Sequence, residues 1–422
     1  MLRKQITYTV KDIETFKRSV LRWAQQFDEI VWLDSNDHSN SYSSFEAILA
    51  VDGLTGISTD YNNAFMDLRE YQSQVNDWIF GYLSYDLKNN VENLVSQNYD
   101  GLHFPELYFY QPKRIIQIKD NKISFMYLQM VQDEIQLDYD TICEIDTNNR
   151  DAPVTNESPS IKMRIFKDEY FKNVDTILNH IHHGDIYEVN FCQEFFCEGL
   201  EILTLPIYEK LNAISKPPFA AYAKLFDKYL LCASPERFLK KVDNKIVSQP
   251  IKGTAARSTN IEQDNILKLH LEKDEKERSE NVMIVDLVRN DLSKKATKGS
   301  VMVEELCKVY SFKQVHQMIS TVSCKVKSDE NPVDVLKSCF PMGSMTGAPK
   351  VSAMKIIEEL ESFKRGLYSG AVGYLDPQGD FDFNVVIRSI LYNSSHKYLS
   401  YSVGSAITAK SDPEKGIYGM SS

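Results

Sequence analysis

Short apolar runs bounded by turn residues dominate the first part of the chain. Residues 30–34 (IVWLD), 79–85 (IFGYLSY) and 114–118 (RIIQI) are predicted strands, because β-branched and aromatic side chains suit a pleated surface. The period then lengthens. Tyr170, Val174, Ile177, Leu178 and Ile181 recur at helical spacing, and Gly184 supplies the stop. Strand signals return at 220–225 and 229–233. A second helix is predicted from about 274 to 296, and a third from about 349 to 363 with Pro349 in its first turn. The tail reads as strands over 370–375, 383–392 and 398–408.

One composition break interrupts this pattern. Residues 146–160 (DTNNRDAPVTNESPS) hold almost no large apolar side chain and two prolines, too little to bury. The stretch is either a linker between regions 1–145 and 161–422 or a long surface loop within one domain. No internal repeat is visible, and long connections between β-rich halves predict an α+β fold with mixed or antiparallel sheets.

Composition narrows the function. At 43% hydrophobic and 25% charged the chain has globular composition. Forty-eight basic against 59 acidic residues, a net charge of −11, argue against a nucleic-acid partner. The opening MLRKQITYTVKDIETF has no apolar leader core, and no later run reaches membrane-spanning length, so no membrane partner is expected. Seven scattered cysteines read as reduced thiols of a cytoplasmic protein.

Several segments could carry chemistry. Glu277 and Glu280 stand three apart on the second helix and so share a face. Such a pair is either a solvated face or a site for a divalent cation. Lys252 lies in Pro250-Ile-Lys-Gly-Thr254, after Ser234-Pro-Glu-Arg-Phe238. There it is either an exposed hairpin lysine or a desolvated nucleophile. FPMGSMTGAPK (340–350) is a glycine-rich loop entering a helix N-terminus, where free amides attract anions. Val351 after Lys350 departs from a nucleotide loop and favours a carboxylate or hydroxyl-rich ligand. His180, His182 and His183 end a helix, where the dipole favours histidine, and no zinc site is expected of them. His316, alone in QVHQMIST, reads as a core histidine.

In chain order, GDIYEVNF (184–191), SPERF (234–238), PIKGT (250–254), DEKERSENVMIVDLVRNDL (274–292), GSMTGAPK (343–350), GYLDPQGDFDFNVVIRS (373–389) and GSAITAKSDPE (404–414) resemble the signatures of the chorismate-utilising enzymes. That family includes anthranilate synthase component I, aminodeoxychorismate synthase component I, and isochorismate and salicylate synthases. FGYLSYDL (80–87) is similar to the N-terminal module of the synthase subunits. Lysine in PIKGT marks the aminodeoxychorismate branch, whereas anthranilate synthases usually carry alanine. At Glu188 isochorismate-type enzymes carry a lysine base and the amino-transferring branches usually glutamine, so this chain departs from both. Leu33-Asp34-Ser35 resembles the tryptophan-sensing segment of anthranilate synthase, with Asp for Glu.

The resemblance implies two large antiparallel sheets facing each other, helices outside, and an active centre between them. It implies amination of chorismate by ammonia to 4-amino-4-deoxychorismate, for p-aminobenzoate and folate synthesis, with Mg²⁺ as cofactor. A separate glutamine amidotransferase subunit would supply the ammonia. Rival readings are anthranilate synthase component I and a non-catalytic chorismate-binding subunit. By resemblance, Lys252 attacks the ring, Glu236 protonates the departing hydroxyl, His316 sits near the ring, and Glu277 and Glu280 serve the metal. Gly253, Thr254, Thr346 and Gly404 would cradle carboxylates, while Tyr374 and Arg388 hold the enolpyruvyl group.

The C-terminal signature breaks off. The family motif runs Ser-Asp-Pro-Glu-x-Glu-(Tyr or Trp)-x-Glu, and its last two glutamates complete the metal site. Here Ser411-Asp-Pro-Glu-Lys415 is followed by Gly416-Ile-Tyr-Gly419. Back-translation permits a one-base shift that restores Glu-Tyr-Met-Glu, so a frameshift after about 415 is expected, and with it weak Mg²⁺ binding and little turnover.

Overall fold

Two long strands, Ala47–Thr59 and Leu107–Lys119, are the hinge of the architecture. They pair antiparallel along their length, with a bulge between Gly53 and Thr55 that bends the ladder. On one side of the bend Ala47–Val51 continues into Glu29–Asp34. On the other, Leu107–Tyr110 pairs with Ile79–Leu83. This is the computed structural model of the chain; it describes residues 3–36, 38, 42, 44–146 and 159–411.

Two arms grow from the bend. The first runs through Glu29–Asp34, Phe219–Leu225, Lys228–Ser234, Ser389–Asn393, Tyr398–Thr408 and Glu188–Cys197. The second runs through Ile79–Leu83, Ala371–Leu375, Phe381–Val385, Arg237–Val242, Lys245–Gln249 and Val315–Lys325, with Ile251–Ala256 and Met302–Ser311 beside the last. All twenty described strands belong to one ladder. The α+β class with large antiparallel sheets is therefore as expected, and the two sheets are arms of a single structure. Their inner faces share a core: Val31, Ala221 and Leu391 of the first arm join the same apolar cluster as Leu83, Val372 and Phe383 of the second. Helices cover the outside, Ile13–Ala24 over one further cluster and Lys167–His183 with Lys350–Leu360 over another.

Local signals explain the helix ends. Gly184 closes Lys167–His183 in the left-handed conformation, φ 84°. Asp274 caps Glu275–Ser293 by accepting from the amides of Lys276 and Glu277. Pro349 is the residue before the Lys350–Leu360 helix rather than part of its first turn. The run predicted as one strand over 383–392 is two, Phe381–Val385 and Ser389–Asn393, because it leaves one arm and joins the other.

Strands of region 1–145 are hydrogen-bonded to strands of the later region in both arms. Residues 147–158 and 412–422, on which the linker and reading-frame expectations fall, lie outside the described residues. No helix among the described residues is long and apolar enough to cross a membrane. All seven cysteines are free, and only Cys143 is exposed.

Candidate active site

The chain crosses between the arms twice at one place. Pro235 and Glu236 carry it from Lys228–Ser234 to Arg237–Val242, and residues 386–388 carry it back from Phe381–Val385 to Ser389–Asn393. The crossings are stitched together by the Val385 amide donating to the Glu236 carbonyl (3.0 Å) and the Ala233 amide to the Arg388 carbonyl (3.1 Å). Pro235 and Glu236 of the first crossing and Ile387 and Arg388 of the second line the gap. A cavity of ≈ 750 Å³ opens there, lined by Glu236, Lys252, Gly253, Thr254, Glu277, Glu280, Arg388 and Gly404 among others.

Lys252 comes from the second arm and meets the first. Its Nζ donates to Glu188 Oε1 at 2.6 Å, on the strand Glu188–Cys197. Glu188 is 1% exposed and its Oε2 has no hydrogen-bond partner. Burial favours the neutral amine, but the Glu188 carboxylate, helped by Glu280 and Glu236, outweighs it and raises the lysine above its ordinary range. Lys252 therefore rests as an ammonium. Asn281, on the Glu275–Ser293 helix, donates to the Lys252 carbonyl and to that of Met318, which fixes this strand against the helix.

Glu236 is buried, and burial pushes its carboxyl up to about 7, against the lowering effects of a hydrogen bond from Ser344 and the charges of Lys252 and Arg388. Ser344 Oγ donates to its Oε1 at 2.6 Å. A carboxyl balanced near neutrality, beside a cation that opens onto the same cavity at Arg388, is equipped to give a proton to an anionic substrate.

Two glycines on the wall stand where an added side chain would crowd its neighbours. Gly253 has φ 93°, and a β-carbon there would lie 3.2 Å from Glu277 Oε2. At Gly404 a β-carbon would meet Cys192 Sγ at 2.7 Å and Asn190 Oδ1 at 2.9 Å. Asn190 is itself fixed, donating to the Ser344 carbonyl. Gly404→Ala is accordingly expected to cost about 1–3 kcal/mol of stability through overpacking. Thermal unfolding of the variant checks this, and an unchanged melting temperature would count against the tight fit.

Three expected site residues are elsewhere. His316 faces away from the cavity: its Nε2 lies 3.1 Å from Asp264 Oδ1 and its Nδ1 2.9 Å from Ser311 Oγ. Strand alternation puts the next residue, Gln317, on the cavity wall, with its Oε1 buried and unpartnered. Thr346 is fully buried and spends its hydroxyl on the Met342 and Gly343 carbonyls, so Ser344 and Met345 form the wall instead. The glycine-rich loop thus meets the cavity through its middle, and Lys350 at the helix start turns away to Asp291 and the Pro341 carbonyl.

Tyr374 packs against Phe45, Trp78 and Phe80, with ring centroids 5.5, 5.2 and 5.7 Å away. It lines a separate cavity of ≈ 60 Å³ that also holds Leu33, Asp34 and Ser35. The tyrosines at the larger cavity are Tyr368, which precedes the same strand as Tyr374, and Tyr401 of the Tyr398–Thr408 strand. Behind Tyr368, buried Arg365 grips Glu361 with two nitrogens and donates to the Asn190 and Met345 carbonyls, tying strand and loop into one wall.

Glu277 and Glu280 both reach the cavity, and burial raises both carboxyls, with Lys252 and Lys276 opposing. The one ion pair at Glu280 among the described residues is a 3.7 Å contact with Lys276. No described group of three or more acidic, histidine or cysteine side chains forms a complete metal cage. Two under-neutralised carboxylates on a cavity wall nonetheless suit Mg²⁺, a hard cation usually held by one or two carboxylates together with substrate and water. His180 contacts Asp185 and belongs to no such group.

The fold defines the class: the chain has the architecture of anthranilate synthase component I. It superimposes on that protein from Streptococcus pneumoniae with a TM-score of 0.78 at 24% identity, covering 91% of this chain and 92% of the other. The family is established separately. A model described as chorismate binding enzyme matches residues 24–417, and the chain belongs to that family. It is 30% identical over 364 residues to aminodeoxychorismate synthase component 1 of Bacillus subtilis, covering 83% of this chain and 75% of that protein. It is 43% identical over 251 residues to a probable chloroplastic aminodeoxychorismate synthase of rice, covering 59% of this chain but only 28% of the rice protein.

Proposed function

We propose that this chain aminates chorismate with ammonia to 4-amino-4-deoxychorismate, as component I of an aminodeoxychorismate synthase. The observation that carries the reading is the convergence of Lys252, Glu236 and the Glu277–Glu280 pair on one cavity. Chorismate is a dicarboxylate with a poor leaving group at C4. Arg388 is a cation on the cavity wall available to a carboxylate, and Gly253 and Gly404 line the same cavity without side chains. Lys252, once free of its proton, attacks the ring, and Glu236 protonates the C4 hydroxyl as it departs. Ammonia then displaces the lysine, so one hard substitution becomes two easier ones. Glu277 and Glu280 would hold Mg²⁺, whose chemistry is to neutralise the ring carboxylate and draw charge from the ring. A glutamine amidotransferase subunit supplies the ammonia, and the product serves p-aminobenzoate and folate synthesis.

Product analysis tests the reading. With chorismate, ammonia and Mg²⁺, mass spectrometry is expected to find an aminated product that keeps the enolpyruvyl group. Anthranilate with pyruvate would replace the reading by anthranilate synthase component I, and binding without any product by a non-catalytic subunit. Gly416 and Gly419 stand where the family motif has its last two glutamates. Amination is therefore expected to rise at least tenfold in the Gly416→Glu/Gly419→Glu chain, measured at limiting Mg²⁺.

A further inference from the structure

Amination through Lys252 requires a free amine, yet the amine is held as an ammonium in a buried ion pair. Some group must take that proton. Four carboxyl groups act near the lysine. Glu236 bridges the two arms, Glu277 and Glu280 lie on the Glu275–Ser293 helix beside Lys276, and Glu188 lies on the opposite arm. Glu236 must keep its own proton for the leaving hydroxyl. Glu277 and Glu280 are the pair suited to a cation, and a carboxylate so engaged has little attraction left for an ammonium. Glu188 remains, and it alone has the direct contact: Nζ to Oε1 is 2.6 Å, with side chains 12% and 1% exposed.

We infer that Glu188 is the positioning residue that aims the Lys252 amine and accepts its proton, making the nucleophile inside a closed pair. This rests on the amination reading above. The proton passes from Nζ to Oε1, leaving a neutral amine and a carboxylic acid. The amine nitrogen forms its bond to the ring while the C4–O bond breaks, and the hydroxyl leaves as water with the proton of Glu236. When ammonia bonds at C4, the lysine nitrogen leaves with its electron pair and recovers the proton from Glu188. The C4 ammonium returns a proton to Glu236, so the sum is chorismate plus ammonia to aminated product plus water. Glu188 Oε2 is buried without a hydrogen-bond partner, so the contact of this carboxyl with the lysine runs through Oε1 alone.

The test is the pH dependence of Lys252 acylation by an amine-selective reagent, read by peptide mass spectrometry on the full chain. In Glu188→Gln the shape is kept and the charge removed. Burial then acts with less opposition, and the labelling midpoint is expected to fall by at least one pH unit, giving about tenfold faster labelling per unit below the parent midpoint. Glu188→Asp, which keeps the charge, should lie between the two. An unchanged midpoint in Glu188→Gln would overturn the inference. With chorismate and Mg²⁺ present, adduct formation on Lys252 should gain a rise with pH in Glu188→Gln that the parent lacks, since the proton must now go to solvent. An adduct whose pH profile and labelling midpoint ignore the substitution removes the role of Glu188 and leaves amination standing. A shifted midpoint with no adduct in either protein instead removes the amination reading on which the step rests.

Discussion

Lys252→Ala is expected to lower amination of chorismate by about a thousandfold or more, and to abolish any ring-derived adduct on the peptide containing residues 250–254. A thousandfold loss corresponds to about 4 kcal/mol of transition-state stabilisation, within what removal of a nucleophile forfeits. The substitution also strips Glu188 of its partner. A buried carboxylate left alone costs about 3–5 kcal/mol, so Lys252→Ala should unfold at lower temperature as well as react slowly. The double substitution Lys252→Ala/Glu188→Gln separates these effects, because it removes both charges. Stability is expected to recover while amination stays lost. Steady-state rates in the Gly416→Glu/Gly419→Glu background, with thermal unfolding alongside, give both readouts. Recovery of activity in the double variant would show that lysine served only to neutralise Glu188.

What could be read beforehand depended on how local the cause was. Asp274 announces its helix because the cap acts two and three residues away, and Gly184 closes another by its own backbone conformation. Glu236 and Arg388 sit at the crossings and Lys252 near the start of the strand Ile251–Ala256, each within a signature that is contiguous in sequence. Strand phase was another matter. Val315–Lys325 and Ala371–Leu375 are covered on both sides, so no polar–apolar alternation marks which face meets the cavity. The resemblance points to His316 and Tyr374, whereas the strand phase turns Gln317 to the cavity and puts Tyr374 in a separate one. Thr346 is a different case, since a hydroxyl turned inward to its own loop looks no different in sequence from one facing substrate. The partner of Glu188 is 64 residues away, and only the meeting of the two arms brings it within 2.6 Å.

The same crossing leads to the second large effect, Glu236→Gln, expected to slow amination by about 10²–10⁴-fold. Glutamine fits the space and can still accept the Ser344 hydrogen bond, so the wall should keep its shape, but an amide cannot give the leaving hydroxyl its proton. The pH dependence follows from the sign of the shift. Burial lifts the carboxyl above its ordinary value to about 7, so the proton-donating form is present below that pH and is lost as pH rises through it. The parent rate should therefore decline on the alkaline side of about 7, and Glu236→Gln should lack that limb. Lys252 and Arg388 both hold this carboxyl down. Neutralising either, as in Arg388→Gln, should move the limb to higher pH even as substrate binding weakens. Rate profiles between pH 5.5 and about 9 decide the matter. A limb that survives in Glu236→Gln would assign the acid to another group.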